Sequence, residues 1–591
     1  MEELIIPNPS RHDVSTFDIL VNDTAINASY QVLGISISKE VNRIPTAKII
    51  LRDGDAAQRT FEISNTNDFI PGNKIKIKLG FDSNNLQAFK GIITRHSIKI
   101  KENGKSELHI ECKDEAVKMT IGRHSRYYEQ VKDSQLYDTL VGNYSGLQSD
   151  AQQTTLTHKE VVQHHISDWD FLLLRAEANG MLVFVNDGVV KVAKPATSEE
   201  PVLQVSYGSS ILELEASMDA RTQWKNVEAA SWDYAGQQLF KADASEAQGF
   251  AEPGNITGSK LAEAINLDKY QVHHSGHLLE QELQDWADGI MMRSRLSKVR
   301  GRARVTGFSG IKPGDMVKLS GIGDRFNGKA LVTAVIQDVA NGAWYTHIQF
   351  GYDPTQYAAK TPAIDDMLSA GLVGSIHGLQ IGIVKQLASD PDGDDRILVK
   401  IPVIDNNAEG TWVRVASLDA GDTRGAFFRP EIGDEVIVGF INDDPRHGIM
   451  LGMLNSSAKP APLQAADAND EKGIFTRSKM RIHFNDNTKT ITIDTPAGNS
   501  IQLDEAGSKI EIKDQNNNKV TMGTSGVSIE SQQNIELKAG VNLTLSAGAT
   551  LSIGGVSLSV KADGNCEIQG AMTKISSSGI TEISGSLVKI N

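Results

Sequence analysis

The sequence predicts a mainly β protein with some helices, ending in an intertwined triple-stranded β-helix, a prism shared by three chains. Three observations carry that expectation. Apolar and polar residues alternate with period two along much of the chain, and helical spacing is confined to a few stretches. Five short alternating runs between about 371 and 458 suit a small Greek-key barrel of the OB type. From about Ile474 the chain becomes a repeat of two- or three-residue apolar alternations punctuated by Gly, Ser, Thr and Asn.

At 591 residues the chain is too long for one core, so several domains are expected. A hydrophobic content of 40% and a charged content of 23% are ordinary for a globular protein. The net charge of −15 argues against nucleic acid as a partner, because phosphate binding needs a basic surface. Cys112 and Cys566 are far apart and expected in different domains, so no disulfide is expected, which fits a reducing compartment. The opening MEELIIPNPSRHD lacks a basic segment followed by an apolar run, so no signal peptide is expected. No stretch approaches the ~18 apolar residues of a membrane-spanning helix.

Residues 1–370 read as strands with a few helices. NKIKIKLGF and SELHIEC alternate as strands do. In SDWDFLLLRAEANG, Ser167 and Asp170 form a capping-box pattern, and Gly180 stands where a helix ends in left-handed backbone. MLVFV, NDG and VVKV read as strand, turn and strand. His277–Leu296 places Leu279, Leu283, Trp286 and Ile290 on one helical face. The barrel strands, over 371–458, are LQIGIVKQL, DRILVKIPVI, TWVRVAS, DEVIVGFI and HGIMLGML. An Ala- and Pro-rich linker is expected over 459–473.

The repeat occupies 474–591. Early units are spaced nine or ten residues apart, and from Val527 they tighten to about eight. Val527/Ile529, Ile535/Leu537, Leu543/Leu545 and Leu551/Ile553 keep one register. Each rung offers about two inward side chains of modest size, and eight residues are few for a single chain to close its own cross-section. Three chains giving one strand per layer bring these residues to a common axis. On that reading the backbone hydrogen bonds run between chains, and folding and trimerisation are one event.

Three motifs invite an enzymatic reading and fail on their spacing. GDRFNGKA places Lys329 as a phosphate loop does, but Ala330 replaces the Ser or Thr that reaches magnesium, and a strand pattern follows where a helix is needed. DPDGDD (390–395) lacks the distal Glu of a calcium loop. His158, His164, His165, His273, His274 and His277 lack the helical spacing of a zinc hydrolase. No catalytic residue, metal or cofactor is expected, and the short linker has no room for the paired carboxylates of a glycosidase.

The chain resembles the VgrG spike family of contractile injection systems. ISDWDFLLLRAEANGMLVFV (166–185) and GDMVKLSGIGDRFNGKALVTAV (314–335) are similar to that family's hub, and Trp412–Leu454, with PEIGDEVIVGF and DDPRHGIMLG, to its OB domain. The resemblance implies two barrel-like hub subdomains per chain and a trimer presenting a pseudo-sixfold ring. It also implies partners: a hexameric inner-tube protein, baseplate proteins and a small conical PAAR-like tip protein. Effector cargo stays open, and contact with the target membrane is transient. The protein would be assembled in the bacterial cytoplasm and delivered outside or into a target cell. The final repeat fits its register only with one-residue shifts, and Leu587, Val588, Ile590 and Asn591 are expected to dock the tip protein. Two other readings are a spike with cell-wall hydrolase activity and a trimeric phage-type tail fibre or adhesin. The missing insert opposes the first, and the OB block and hub signature oppose the second.

Overall fold

The computed structural model describes residues 14–102, 105–246, 250–362 and 364–590. Period-two alternation does what it should in the first block. In the strand Lys74–Phe81, Ile75, Ile77 and Leu79 point into the core while Lys74, Lys76 and Lys78 face outward. Strands from both ends of the block, such as Thr46–Arg52 and Ala343–Phe350, belong to one thirteen-stranded sheet. The join is the antiparallel pairing of Val32–Glu40 with Gly328–Ala340, from Ala334 opposite Glu40 to Ala340 opposite Gly34. Two apolar cores lie on that sheet, one around Leu51, Ile77 and Phe89, the other around Val205, Val305 and Phe350. The block's sheet is continuous and carries two cores.

Helices α1 (Asp133–Gly142), α2 (Asp168–Ala178), α3 (Gly258–Ile265) and α4 (Glu280–Leu296) complete the block. Ser167 caps α2 as expected, its Oγ accepting from the Asp170 backbone N–H at 3.1 Å. Gly180 follows with φ 64°. A Cβ on Gly180 would lie 2.9 Å from the Gly289 Cα, so the glycine pair is what lets the end of α2 touch α4. In α4, Leu283 and Ile290 are buried, but Leu279 is the N-cap residue and half-exposed, which corrects its place on the expected apolar face. NDG makes the hairpin turn, with Asp187 and Gly188 both at positive φ.

The buried carboxylate of Asp133 ties this block together. It accepts from Arg175 Nε at 2.8 Å, His158 Nε2 at 2.9 Å and Asn179 Nδ2 at 2.9 Å. Burial works against the charge, but the hydrogen bonds from His158 and Arg175 outweigh it and hold the carboxyl well below the usual carboxylate range.

The strands Gln380–Gln386, Ile397–Lys400, Thr411–Val415, Glu435–Phe440 and Gly448–Met453 form a closed barrel, matching the five expected runs. Parallel pairing of Arg414 with Ile449 closes it, around Val384, Val399, Val413 and Val436. The next strand, Glu471–Phe475, begins inside the expected linker.

Candidate functional site

The region after the barrel leaves a long run of apolar side chains exposed. Seven five-residue strands, from Glu471–Phe475 to Gly526–Glu530, form a single antiparallel sheet in which each strand pairs with the next. This corrects the expectation that strand hydrogen bonds here run between chains. Connections of two to five residues reverse the chain between successive strands. The turns supply left-handed backbone at Lys479, Lys489, Gly498, Ser508 and Asn517.

The register sorts the side chains completely. Ile474, Ile482, Ile493, Ile501, Ile512, Val520 and Ile529 are successive cross-strand partners in one row. Phe484, Ile491, Leu503, Ile510, Met522 and Val527 form a second row on the same face. Between the rows, on the opposite face, lie His483, Thr492, Gln502, Glu511, Thr521 and Ser528. The exposure runs the wrong way for a free sheet. In Ser500–Asp504 and Lys509–Lys513 the apolar residues are the more exposed and their polar neighbours the less. Ile482 is 37% exposed and Ile529 56%. Ion pairs lace the margins, including Arg481 with Asp494 at 2.6 Å and Lys489 with Glu505 at 3.1 Å.

Of the residues expected to face a shared axis, Val527 and Ile529 therefore belong to the two rows and pair within the chain, with Met522 and Val520. Ile535, Leu537, Leu543, Leu545, Leu551 and Ile553 lie further on and are exposed. Among the described residues, no stretch after Glu530 forms a strand hydrogen-bonded within the chain. Leu587, Val588 and Ile590 are exposed there too, and Asn591 lies outside the described residues.

Sequence reasoning missed a second apolar surface, on the barrel. Ala420–Gly421 and Arg424–Gly425 make a short ribbon whose base carries Leu418, Phe427 and Phe428, all exposed. The signal was available, since two adjacent aromatics in a turn-rich stretch have no alternation to bury both.

The motifs rejected on spacing have other occupations. Lys329 opens the strand Gly328–Ala340 and pairs with Glu200 at 2.8 Å. Asp390 accepts from the backbone N–H groups of Asp392 and Asp394 and from the Arg396 guanidinium, so an arginine sits where a cation would. His158 is engaged with Asp133. No helix among the described residues is long and apolar enough to cross a membrane.

Comparison with known proteins agrees with this architecture. Residues 11–341, more than half of the chain, match the family described as the Alg8 N-terminal domain. Residues 380–454 match the type VI secretion system/phage-baseplate injector OB domain. The type VI secretion system spike protein VgrG1a of Pseudomonas aeruginosa is 26% identical over 218 residues, covering 34% of this chain and 32% of that protein. VgrG1b of the same organism is 24% identical over 217 residues, covering 34% and 28%. The match thus spans about a third of the length of these curated relatives. An E. coli protein described as a component of the type VI secretion system has a solved structure that aligns with 74% of this chain and 99% of its own, at 12% identity and a TM-score of 0.35. The chain belongs to the Alg8 N-terminal domain family and, with its injector-type OB domain, is a VgrG-like spike protein.

Proposed function

We propose that this chain is the structural central spike and hub of a contractile injection system, working as a homotrimer and without catalysis. The observation that carries the reading is the two-row apolar face, more exposed than the polar face behind it. Thirteen half-exposed side chains remain to be covered. At roughly half of ~1.5–3 kcal/mol each, finishing their burial contributes on the order of 10–20 kcal/mol per chain. Association costs ~4–15 kcal/mol, so covering this face wins.

The tail from Asn534 selects three copies. It carries one apolar pair per eight-residue repeat and forms no strand within the chain among the described residues. Two such tails leave a ribbon with one face open, whereas three close a triangular prism with the pairs inside. A rigid prism is suited to transmit an axial thrust. In this reading the first block meets a hexameric inner tube and baseplate proteins, and Leu587, Val588 and Ile590 meet a small conical tip protein. Contact with the target membrane is brief, and nucleic acid has no part.

Isolating assembled particles from cells that carry the wild-type chain or Ile501→Asp tests the role. The account expects wild-type particles with spike density at the tube end and none from the variant. Normal, firing particles from the variant would contradict it. A clear lysis band from the wild-type protein on a peptidoglycan zymogram would replace the purely mechanical reading with that of a hydrolase-bearing spike.

A further inference from the structure

The ribbon on the barrel has two unlike apolar sides. Leu418 is 99% exposed and Phe427 78% exposed, yet the segment is firmly shaped. The Ala426 backbone N–H donates to the Asp419 carbonyl at 2.9 Å, and Ser417 Oγ donates to the Ala426 carbonyl at 2.5 Å. Arg424 pairs with Asp419 at 2.8 Å and Arg429 with Asp395 at 2.5 Å. On one side, Leu418 and Phe428 join Leu451, Met453 and Ile474 around a socket of about 410 Å³. No charged side chain lines it, so the chemistry it accepts is apolar. Phe427 is not part of that lining and instead stands against the Arg429 guanidinium, 5.3 Å from its ring centroid. Knob and socket belong to one ribbon, and Phe427 lies outside the lining of the socket beside it.

We propose that Phe427 of one copy seats in the socket formed by Leu418, Phe428, Leu451, Met453 and Ile474 of the next, so that three barrels join head to tail in a ring. This deepens the trimeric reading above and rests on it. A knob and a socket on one ribbon can seat reciprocally across a two-fold axis or head to tail around a closed ring; the trimeric reading selects the ring. Ile474 identifies the occupant as a second copy of this chain, because it lines the socket and also opens the first apolar row of the sheet. The socket is continuous with the face that three copies cover.

The test uses the full chain with Cys566→Ser, removing the exposed native thiol. Phe427→Cys and Leu451→Cys chains are co-expressed, the assembly's mass is measured by light scattering, and the sample is oxidised mildly. Head-to-tail seating predicts a trimer in which up to about half of the chains, for random mixing around a three-membered ring, become disulfide-linked pairs. Each variant expressed alone gives trimers and no linked pair. A trimer that gives no linked pair on co-expression overturns the contact and leaves the trimer standing. An assembly of two chains' mass, or linked pairs from Phe427→Cys alone, shows a two-fold contact and overturns it as well. A folded monomer in the light scattering overturns the contact together with the trimeric reading.

Discussion

The two ends of this molecule use the same alternating pattern to opposite effect. In Lys74–Phe81 the alternation buries Ile75, Ile77 and Leu79 and leaves the lysines outside. In Lys509–Lys513 the same kind of alternation leaves Ile510 and Ile512 as the exposed positions. The local sequence rule is identical, and the difference is what stands opposite. The first block folds its sheet over its own cores and buries even its charges in pairs, as at Asp133 and Arg175. Among the described residues, the two apolar rows of the last sheet stay exposed, with Ile535 of the following segment at the edge of the first row. On the proposed function, stability in the first block is a property of one chain, and stability beyond the barrel would be a property of the assembly.

That contrast is broken or sharpened by substitution. The largest effect is expected for Leu543→Asp. In the proposed trimer, three-fold symmetry would bring three carboxylates onto an apolar axis, where each unpaired buried charge costs several kcal/mol. Gel filtration of the full chain should show the trimer lost, with the circular dichroism of the first block kept. An intact trimer with unchanged melting would remove Leu543 from the axis.

Asp133→Asn comes next. Removing one partner of a buried pair costs about 3–5 kcal/mol, and here it leaves Arg175 only the longer ion pair with Glu282 at 3.6 Å. The expected result is a lower denaturant midpoint for the first block with the trimer retained. The pH dependence has a defined sign. The folded Asp133 carboxyl lies below its unfolded value, so its contribution is fully present above about pH 4. It is lost as pH falls further through the folded value. Acid titration of the wild type should show that loss, and the variant should show less of it.

Gly289→Val tests the helix contact at smaller cost. An ideal Cβ at Gly289 lies 2.8 Å from the Gly180 Cα. Overpacking of this kind costs about 1–3 kcal/mol, and a melting scan of the variant should register it without any change in mass. The smallest effect is expected for Lys489→Ala, which removes an exposed pair with Glu505. Such pairs contribute about 0–1 kcal/mol, so melting in low and high salt should nearly coincide with the wild type.

Much of this was legible in the residues. The barrel strands, the Ser167 cap, the left-handed Gly180 and the NDG turn all follow from local rules that act within one chain. What the residues did not reveal depends on long-range pairing. That Val32–Glu40 and Gly328–Ala340 share a sheet leaves no mark in either segment. The strands up to Glu530 pair within the chain, and alternation alone does not say whether a strand's neighbour is its own chain or another. Leu279 was misplaced because helical spacing continues smoothly through a cap. Leu418 and Phe427 were missed because an apolar surface on a turn carries no period.

The central claim is that the apolar face beyond the barrel is covered only by other copies of the chain. Sedimentation velocity of the intact protein, over a wide range of dilution, measures it most directly. The account predicts one species at three times the chain mass, with no folded monomer at any concentration that can be detected. A folded, monodisperse monomer would contradict it, because the two rows from Ile474 to Ile529 would then be standing in water without a partner.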